Sequence, residues 1–266
     1  MTEQRFLPVN LSGKRVVVTA GAAGIGRVIA EGFLAAGARV HVCDVAPEAI
    51  DEIKTDIPEI STSRTDVSDP AAVNAMFDEV ERRLGGLDIL VNNAGIAGPT
   101  GGVTDVSAEA LRETLAIDVE SMFHCAKRAV PLMRREGLGH VVNLASVAGR
   151  LSYPNRTPYA AAKWGVIGFT KSLAMEVGRD GIRVNAILPG HVNTTRFSGL
   201  VERRAAALGM SPEDMERRVL DPVALGAKVE REDIANMALY LCSPFGMAIS
   251  GQAISVCGGV EMMGWK

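Results

Sequence analysis

The chain has 266 residues, 47% hydrophobic and 22% charged, with a formal net charge of −3 at pH 7. That balance fits an ordinary globular protein and argues against a nucleic-acid or anionic-membrane partner. No apolar run reaches the roughly 20 residues of a membrane span, and Met1–Val9 lacks the apolar stretch of a signal peptide, so a cytoplasmic protein is expected.

In chain order, Arg15–Ala20 reads as a buried strand, a short β-branched run with glycine at its end. Gly21-Ala-Ala-Gly24-Ile-Gly26 follows, then an apolar-periodic helix through Val28, Ile29, Phe33 and Leu34. Strand, glycine turn, helix is the setting of a dinucleotide fingerprint, in which small residues let backbone approach a pyrophosphate at a helix N-terminus. The next strand, Arg39–Asp44, places Asp44 at its carboxyl end. An acid there hydrogen-bonds the adenosine ribose and repels a 2′-phosphate. No basic residue lies between Gly21 and Gly26, and Arg27 should point along the helix, so NAD is favoured over NADP. The competing reading of Asp44 is a capping or turn aspartate ahead of Pro47.

A weaker strand covers Ile60–Thr65, and a helix opens with Asp69 as cap and Pro70 at its first position. Val73, Met76, Phe77, Val80 and Leu84 give that helix one inward face, and Gly85-Gly86 ends it. Strand Leu87–Val91 runs into Asn92-Asn93-Ala94-Gly95, a small-residue turn at the strand edge where open α/β sheets bind ligands. Residues 96–106 read as a loop, and a long helical pattern runs from about Ala108 to Arg135, with Pro131 expected to kink or weaken it. Strand His140–Ala145 delivers Ser146 at its carboxyl end. After a loop over 150–158 comes a helix bearing Tyr159 and Lys163, four apart and therefore on one face.

Strand Ile182–Ile187 ends in Pro189-Gly190, and polar helices are expected around 195–208 and 211–220. Their methionines, charges and glycine suggest a mobile flap over a cleft across 193–229. A helix over Glu232–Cys242, a strand over Gln252–Val256 and a glycine- and methionine-rich tail to Lys266 complete the chain. Cys43, Cys125, Cys242 and Cys257 sit in apolar contexts without Cys-x-x-Cys spacing, and the four histidines are dispersed, so free buried thiols and no metal site are expected. With no repeat or linker, residues 1–266 read as one domain, a mainly parallel sheet with helices on both faces.

The ordered set Thr19-Ala-Gly-Ala-Ala-Gly-Ile-Gly26, Asp66, Asn92-Asn-Ala-Gly95, Ser146, Tyr159-x-x-x-Lys163 and Pro189-Gly190 resembles the short-chain dehydrogenase/reductase family in its compact single-domain branch, from about Leu11 to Gly259. The resemblance implies a Rossmann-type, doubly wound α/β fold with seven strands, and a nicotinamide cofactor. It implies that Ala20, Ala23, Gly24, Ile25 and Gly26 form the phosphate turn, with Asp44 and Val45 at the ribose. Asp66 and Val67 would meet the adenine, and Asn93, Ala94 and Gly95 would line the adenosine side. Lys163 would hold the nicotinamide ribose, Pro189, Gly190 and Val192 would frame the carboxamide, and Thr194 would lie near the phosphates. Tyr159 would be the general acid/base and Ser146 the ligand of the substrate oxygen. Family members are usually tetramers or dimers, so a homo-oligomer, a tetramer by preference, is implied, with the helices around 108–135 and 157–178 at one interface.

Two positions depart from the family pattern. Ala20 stands where its first turn glycine belongs, and a positive φ there would suit alanine less well. Asp118 stands where an asparagine helps bind a water linking the lysine to solvent. Either Asp118 keeps that relay as an acceptor, with altered pH dependence, or it pairs with a nearby base and takes no part.

The expected reaction is reversible hydride transfer between a secondary alcohol and NAD, ionised Tyr159 taking the hydroxyl proton. Arg150, Tyr153, Asn155, Arg156 and His191 could meet a small polar or anionic substrate such as a polyol, sugar or hydroxy acid; alternatively the arginines are solvated or bridge subunits. Met210 and Met215 would also suit an apolar substrate. A 3-oxoacyl reductase-like activity and a non-catalytic nucleotide-binding or structural protein are the competing functions.

Overall fold

The computed structural model describes residues 5–262, so the end of the glycine- and methionine-rich tail lies outside the described residues. Seven strands, β1 (Arg15–Thr19), β2 (Arg39–Asp44), β3 (Ser61–Arg64), β4 (Ile89–Asn92), β5 (Gly139–Leu144), β6 (Ile182–Pro189) and β7 (Ala253–Val256), form one sheet. Their order is β3-β2-β1-β4-β5-β6-β7, with every pair parallel. The order reverses between β1 and β4, which opens a crevice at the carboxyl ends of those strands.

The β-branched run of β1 shows why both faces must be covered. Val16 and Val18 point into one core layer, with Ile29 and Phe33 of helix α1 (Gly24–Ala35), Ile53 of α2 (Pro47–Asp56) and Leu239 of α9 (Arg231–Cys242). Val17, one residue out of phase, points into the other, with Phe77 of α3 (Pro70–Leu84) and buried residues of two later helices. Helix α3 starts on Asp69, whose carboxylate accepts from Ala71 N at 2.8 Å, and stops at Gly85, where φ is +79°. Helix α2 was not singled out in the sequence; Pro47 at its start and inward Ile50 and Ile53 account for it.

The long pattern after residue 108 is divided, but not at the proline. Helix α4 (Ala108–Leu115) passes through one wide turn of the i→i+5 kind, Ala116–Glu120, into α5 (Ser121–Glu136), and α5 runs on through Pro131. Val130, Leu132 and Met133 around Pro131 are buried, so packing against the sheet outweighs one lost hydrogen bond. The wide turn is where Asp118 faces inward.

Helix α6 (Thr157–Val177) packs against β6 and the turn after β5. Beyond β6, α7 (Thr195–Leu208) and α8 (Pro212–Leu220) pack on each other through Phe197, Val201, Ala205, Met215 and Val219, a small core of their own. A parallel bridge between Val192 and Val229 ties the two ends of that segment together. Among the described residues no helix is long and apolar enough to cross a membrane, no cluster of His, Cys, Asp and Glu is placed to hold a metal ion, and the four cysteines are buried and unpaired.

Candidate active site

The glycine turn is shaped by what cannot fit. A Cβ on Gly26 would lie 2.2 Å from the Ala20 carbonyl oxygen and 2.4 Å from Asn93 Nδ2. Gly24 is different: its φ is +58° and nothing lies within 4 Å of where a side chain would start. Helix α1 begins just there with no side-chain cap on Ala23 and no acid in its first turn, so its leading N–H groups point at open space. Ile25 belongs to that first turn. An anionic pyrophosphate fits such a cradle. Ala20 holds a left-handed conformation with φ +47°, the strained geometry that its sequence position foreshadowed.

Asp44 closes one side of the turn. Its carboxylate accepts from Val45 N at 2.8 Å, Ala46 N at 3.2 Å and Ala22 N at 3.3 Å. The turn-aspartate role is therefore real, and Val45 beside it is exposed. Arg27 is held on Glu31, Glu52 and Asp56 at 3.1, 3.0 and 2.7 Å.

Asn93 does more than line a wall. Its amide donates to the Thr19 and Ala20 carbonyls at 2.9 and 3.0 Å, while Asn93 N and Ala94 N donate to Thr19 Oγ1, both at 3.0 Å. The side chain thereby welds the β4 edge to the β1 turn. Asp66 is exposed and accepts from Ser68, and Val67 beside it is buried.

Tyr159 and Lys163 share one face of α6, with Lys163 Nζ 5.5 Å from the centre of the tyrosine ring. The ammonium is buried; it donates to the Leu144 carbonyl at 3.2 Å and stands 3.2 Å from Asp118 Oδ2. Asp118 is wholly buried, and its other oxygen accepts from Ile96 N at 2.7 Å. Oδ2 makes no hydrogen bond, so its compensation is the ion pair alone. Asp118 pairs with Lys163 itself, a contact compatible with either reading of its role. Gly95 permits the arrangement, since a Cβ there would sit 3.2 Å from Lys163 Nζ and 3.3 Å from Asp118 Oδ1.

Ser146 follows β5 in extended backbone and heads the short turn Val147–Gly149, accepting from Ala148 N at 3.1 Å. That turn lies hard against α6: a Cβ on Gly149 would be 2.7 Å from the Lys163 carbonyl oxygen. A buried chain holds the helix in register, Asn92 Nδ2 donating to Asn143 Oδ1 at 2.8 Å and Asn143 Nδ2 to Thr170 Oγ1 at 2.9 Å. The Asn143–Thr170 link was not read from the sequence, although an asparagine inside the apolar run His140-Val-Val-Asn-Leu must find a partner.

At the far side of the cleft, Pro189 and Gly190 end β6, and a Cβ on Gly190 would meet Cys257 Cα at 2.8 Å. Val192 sits in the bridge to Val229, and Thr194 caps α7 by accepting from Phe197 N at 3.3 Å. His191 stacks on Phe197 at 5.5 Å, and burial, with Arg204 nearby, lowers its pKa. Arg150 is taken up by Glu261 and Ser255 at 3.0 and 3.1 Å, whereas Arg156 lies over the rings of Tyr153 and Tyr159.

A family model described as Enoyl-(Acyl carrier protein) reductase matches residues 20–261. The 3alpha-hydroxysteroid dehydrogenase of Mediterraneibacter gnavus is 33% identical over 257 residues, 94% of this chain and 98% of that protein. Among solved structures, an actinorhodin polyketide ketoreductase with NADPH is 32% identical with a TM-score of 0.89, over 93% of this chain and 97% of that one. An NAD+-bound xylitol dehydrogenase is 27% identical with a TM-score of 0.88, over 93% and 99%. The chain belongs to the short-chain dehydrogenase/reductase family of oxidoreductases. Its seven-stranded parallel sheet is the Rossmann-type fold that the sequence pattern implied.

Proposed function

We propose that this protein is an NAD-dependent oxidoreductase that interconverts a secondary alcohol and its ketone within one domain. The observation that carries the reading is the buried Lys163 ammonium, 5.5 Å from the Tyr159 ring centre, at the sheet edge that also presents Ser146. In the oxidising direction ionised Tyr159 takes the proton of the substrate hydroxyl. Ser146 Oγ already accepts from Ala148 N, which leaves its own hydrogen to donate to the substrate oxygen. Lys163 aligns the tyrosine and the nicotinamide ribose. A bound nicotinamide dinucleotide supplies the hydride chemistry. The start of α1 and Gly24 would hold its pyrophosphate, Asp44 its adenosine ribose, and Asp66 its adenine. Pro189, Gly190 and Val192 frame its carboxamide end, with Thr194 by the phosphates.

NAD is the cofactor of choice for two reasons. Asp44 presents a carboxylate where a 2′-phosphate would sit, and Arg27 is spent on three acids rather than free to meet that phosphate. The substrate is a polyol, sugar or hydroxy acid, and residues 193–229 are its flap. The second reading, reduction of a 3-oxoacyl group, has support in the likeness to a polyketide ketoreductase with NADPH.

Phe123, Trp164 and Met175 are exposed on α5 and α6, and Phe123 and Phe169 stack with centroids 4.4 Å apart; we assign this apolar face to a homo-oligomer, a tetramer by preference, in the cytoplasm. The test of function is an oxidation screen of polyols, sugars, hydroxy acids and secondary alcohols with NAD and again with NADP. Tyr159→Phe should remove most activity and leave NAD affinity near normal. An equal loss of NAD affinity, or reduction of 3-oxoacyl esters alone with NADPH, would overturn the reading.

A further inference from the structure

Tyr159 has two cations at the same distance. Lys163 Nζ and the Arg156 guanidinium carbon each lie 5.5 Å from its ring centre. Their surroundings differ. Lys163 has a counter-charge 3.2 Å away in Asp118, and both partners are buried. A close buried pair of opposite charges acts on its neighbours as a dipole, so Lys163 brings Tyr159 little net positive charge. Arg156 has no carboxylate partner among the described residues. One of its NH2 groups donates to the Ala97 carbonyl, and its Nε is buried without a hydrogen bond. Its plane is held by Tyr153, 5.7 Å away, and by Tyr159 itself.

The other charged groups around the cleft do not replace it. Arg150 in the same loop is paired with Glu261 at 3.0 Å. Arg196 of α7 is exposed and donates to the Gly95 carbonyl at 3.2 Å. His191, after β6, is kept largely neutral near pH 7 by burial and by Arg204.

We propose that Arg156 supplies the uncompensated positive charge that stabilises ionised Tyr159 in this protein, because Asp118 neutralises Lys163. The inference rests on Tyr159 being the general acid/base. Arg156 acts through that tyrosine and is a positioning residue for its charge. It also gives the departure at Asp118 a consequence: the charge lost to the aspartate is restored three residues before the tyrosine, against the same ring.

The chain has 3 tyrosines, so the phenolate absorbance of Tyr159 can be isolated as the difference between the parent protein and Tyr159→Phe across a pH titration. Arg156→Gln should move that midpoint up, and Arg156→Lys should restore most of the shift. Asp118→Asn should move it down, and the double variant should return it towards the parent value. The pH dependence of kcat/KM for an uncharged alcohol should shift in parallel.

An unmoved midpoint in folded Arg156→Gln overturns the inference, most clearly if KM rises for a hydroxy acid and not for a neutral alcohol. That pattern would make Arg156 a substrate-carboxylate ligand. If Arg156→Gln fails to unfold cooperatively, Arg156→Lys and Asp118→Asn decide, since a midpoint that Asp118→Asn leaves in place is equally fatal. The functional reading fails separately, through an active Tyr159→Phe, and the titration needs no substrate.

Discussion

The buried pair of Lys163 and Asp118 makes a prediction about stability that is independent of any substrate. Replacing Lys163 with Met leaves a carboxylate of 0% exposure with one backbone hydrogen bond and no counter-charge. At 3.2 Å and an effective dielectric of about 20, the lost attraction is about 5 kcal/mol. Part of it is offset because the lysine no longer has to be dehydrated, so a cost of about 3–5 kcal/mol is expected. With a urea m-value of about 3 kcal/mol/M for a chain of this size, the midpoint should fall by about 1–1.7 M. The double variant Lys163→Met/Asp118→Asn should recover at least half of that, because asparagine can still accept from Ile96 N and carries no charge. The assay is equilibrium urea unfolding at pH 7 and one fixed protein concentration, since any oligomer makes the midpoint concentration-dependent. A single-variant cost below about 1 kcal/mol, or a double variant as unstable as the sum of the singles, would refute the argument that the pair is held by mutual compensation.

Two further predictions concern strain and acid. Ala20→Gly relieves a residue held at φ +47°, a gain of about 1–2 kcal/mol against about 0.5–1 kcal/mol of added chain entropy, so Tm should rise by about 1–4 °C in a thermal melt. Burial pushes the pKa of His41 down to about 4 and that of His140, also close to Arg183, down to about 3. Folded values below the ordinary 6.5 mean that the unfolded chain takes up protons the native state refuses. Stability is therefore full above about pH 6.5 and is lost as the pH falls towards 4 and then 3. By pH 5 each histidine should cost about 2 kcal/mol in urea unfolding, and His140→Gln should flatten the slope between pH 6.5 and 5.

What could be read in the sequence was whatever follows from local pattern. The buried β-branched run Arg15-Val-Val-Val-Thr19, the cap at Asp69 and the stop at Gly85 all reach the structure as expected. So does the placing of Asp44 and Ser146 at the carboxyl ends of their strands, because parallel order and strand ends together fix where the crevice lies. What could not be read depended on contacts between distant segments. Pro131 is tolerated because its neighbours are buried, and the division of the long helix at Ala116–Glu120 has no proline or glycine to announce it. Asn93 turned out to hold the β1 turn through hydrogen bonds that span more than seventy residues of chain. The partner of Asp118 was equally out of reach, since it depends on where α6 brings Lys163.

In the function proposed for this chain, Asp44 would combine a structural and a cofactor-binding role in one side chain. Three backbone N–H groups hold its carboxylate, from Ala22 in the glycine turn and from Val45 and Ala46 ahead of α2. Those bonds fix the orientation of the carboxylate before any ligand arrives, so no side-chain entropy has to be spent when a ribose binds. On the proposed NAD reading, the charge of that carboxylate would also repel a 2′-phosphate. A neutral asparagine could hold the same turn through its oxygen but would lose that repulsion. The turn-aspartate role is thus the means by which the charge would be aimed, and with Arg27 bound to Glu31, Glu52 and Asp56, a 2′-phosphate placed here would meet an acid and no free base from this turn.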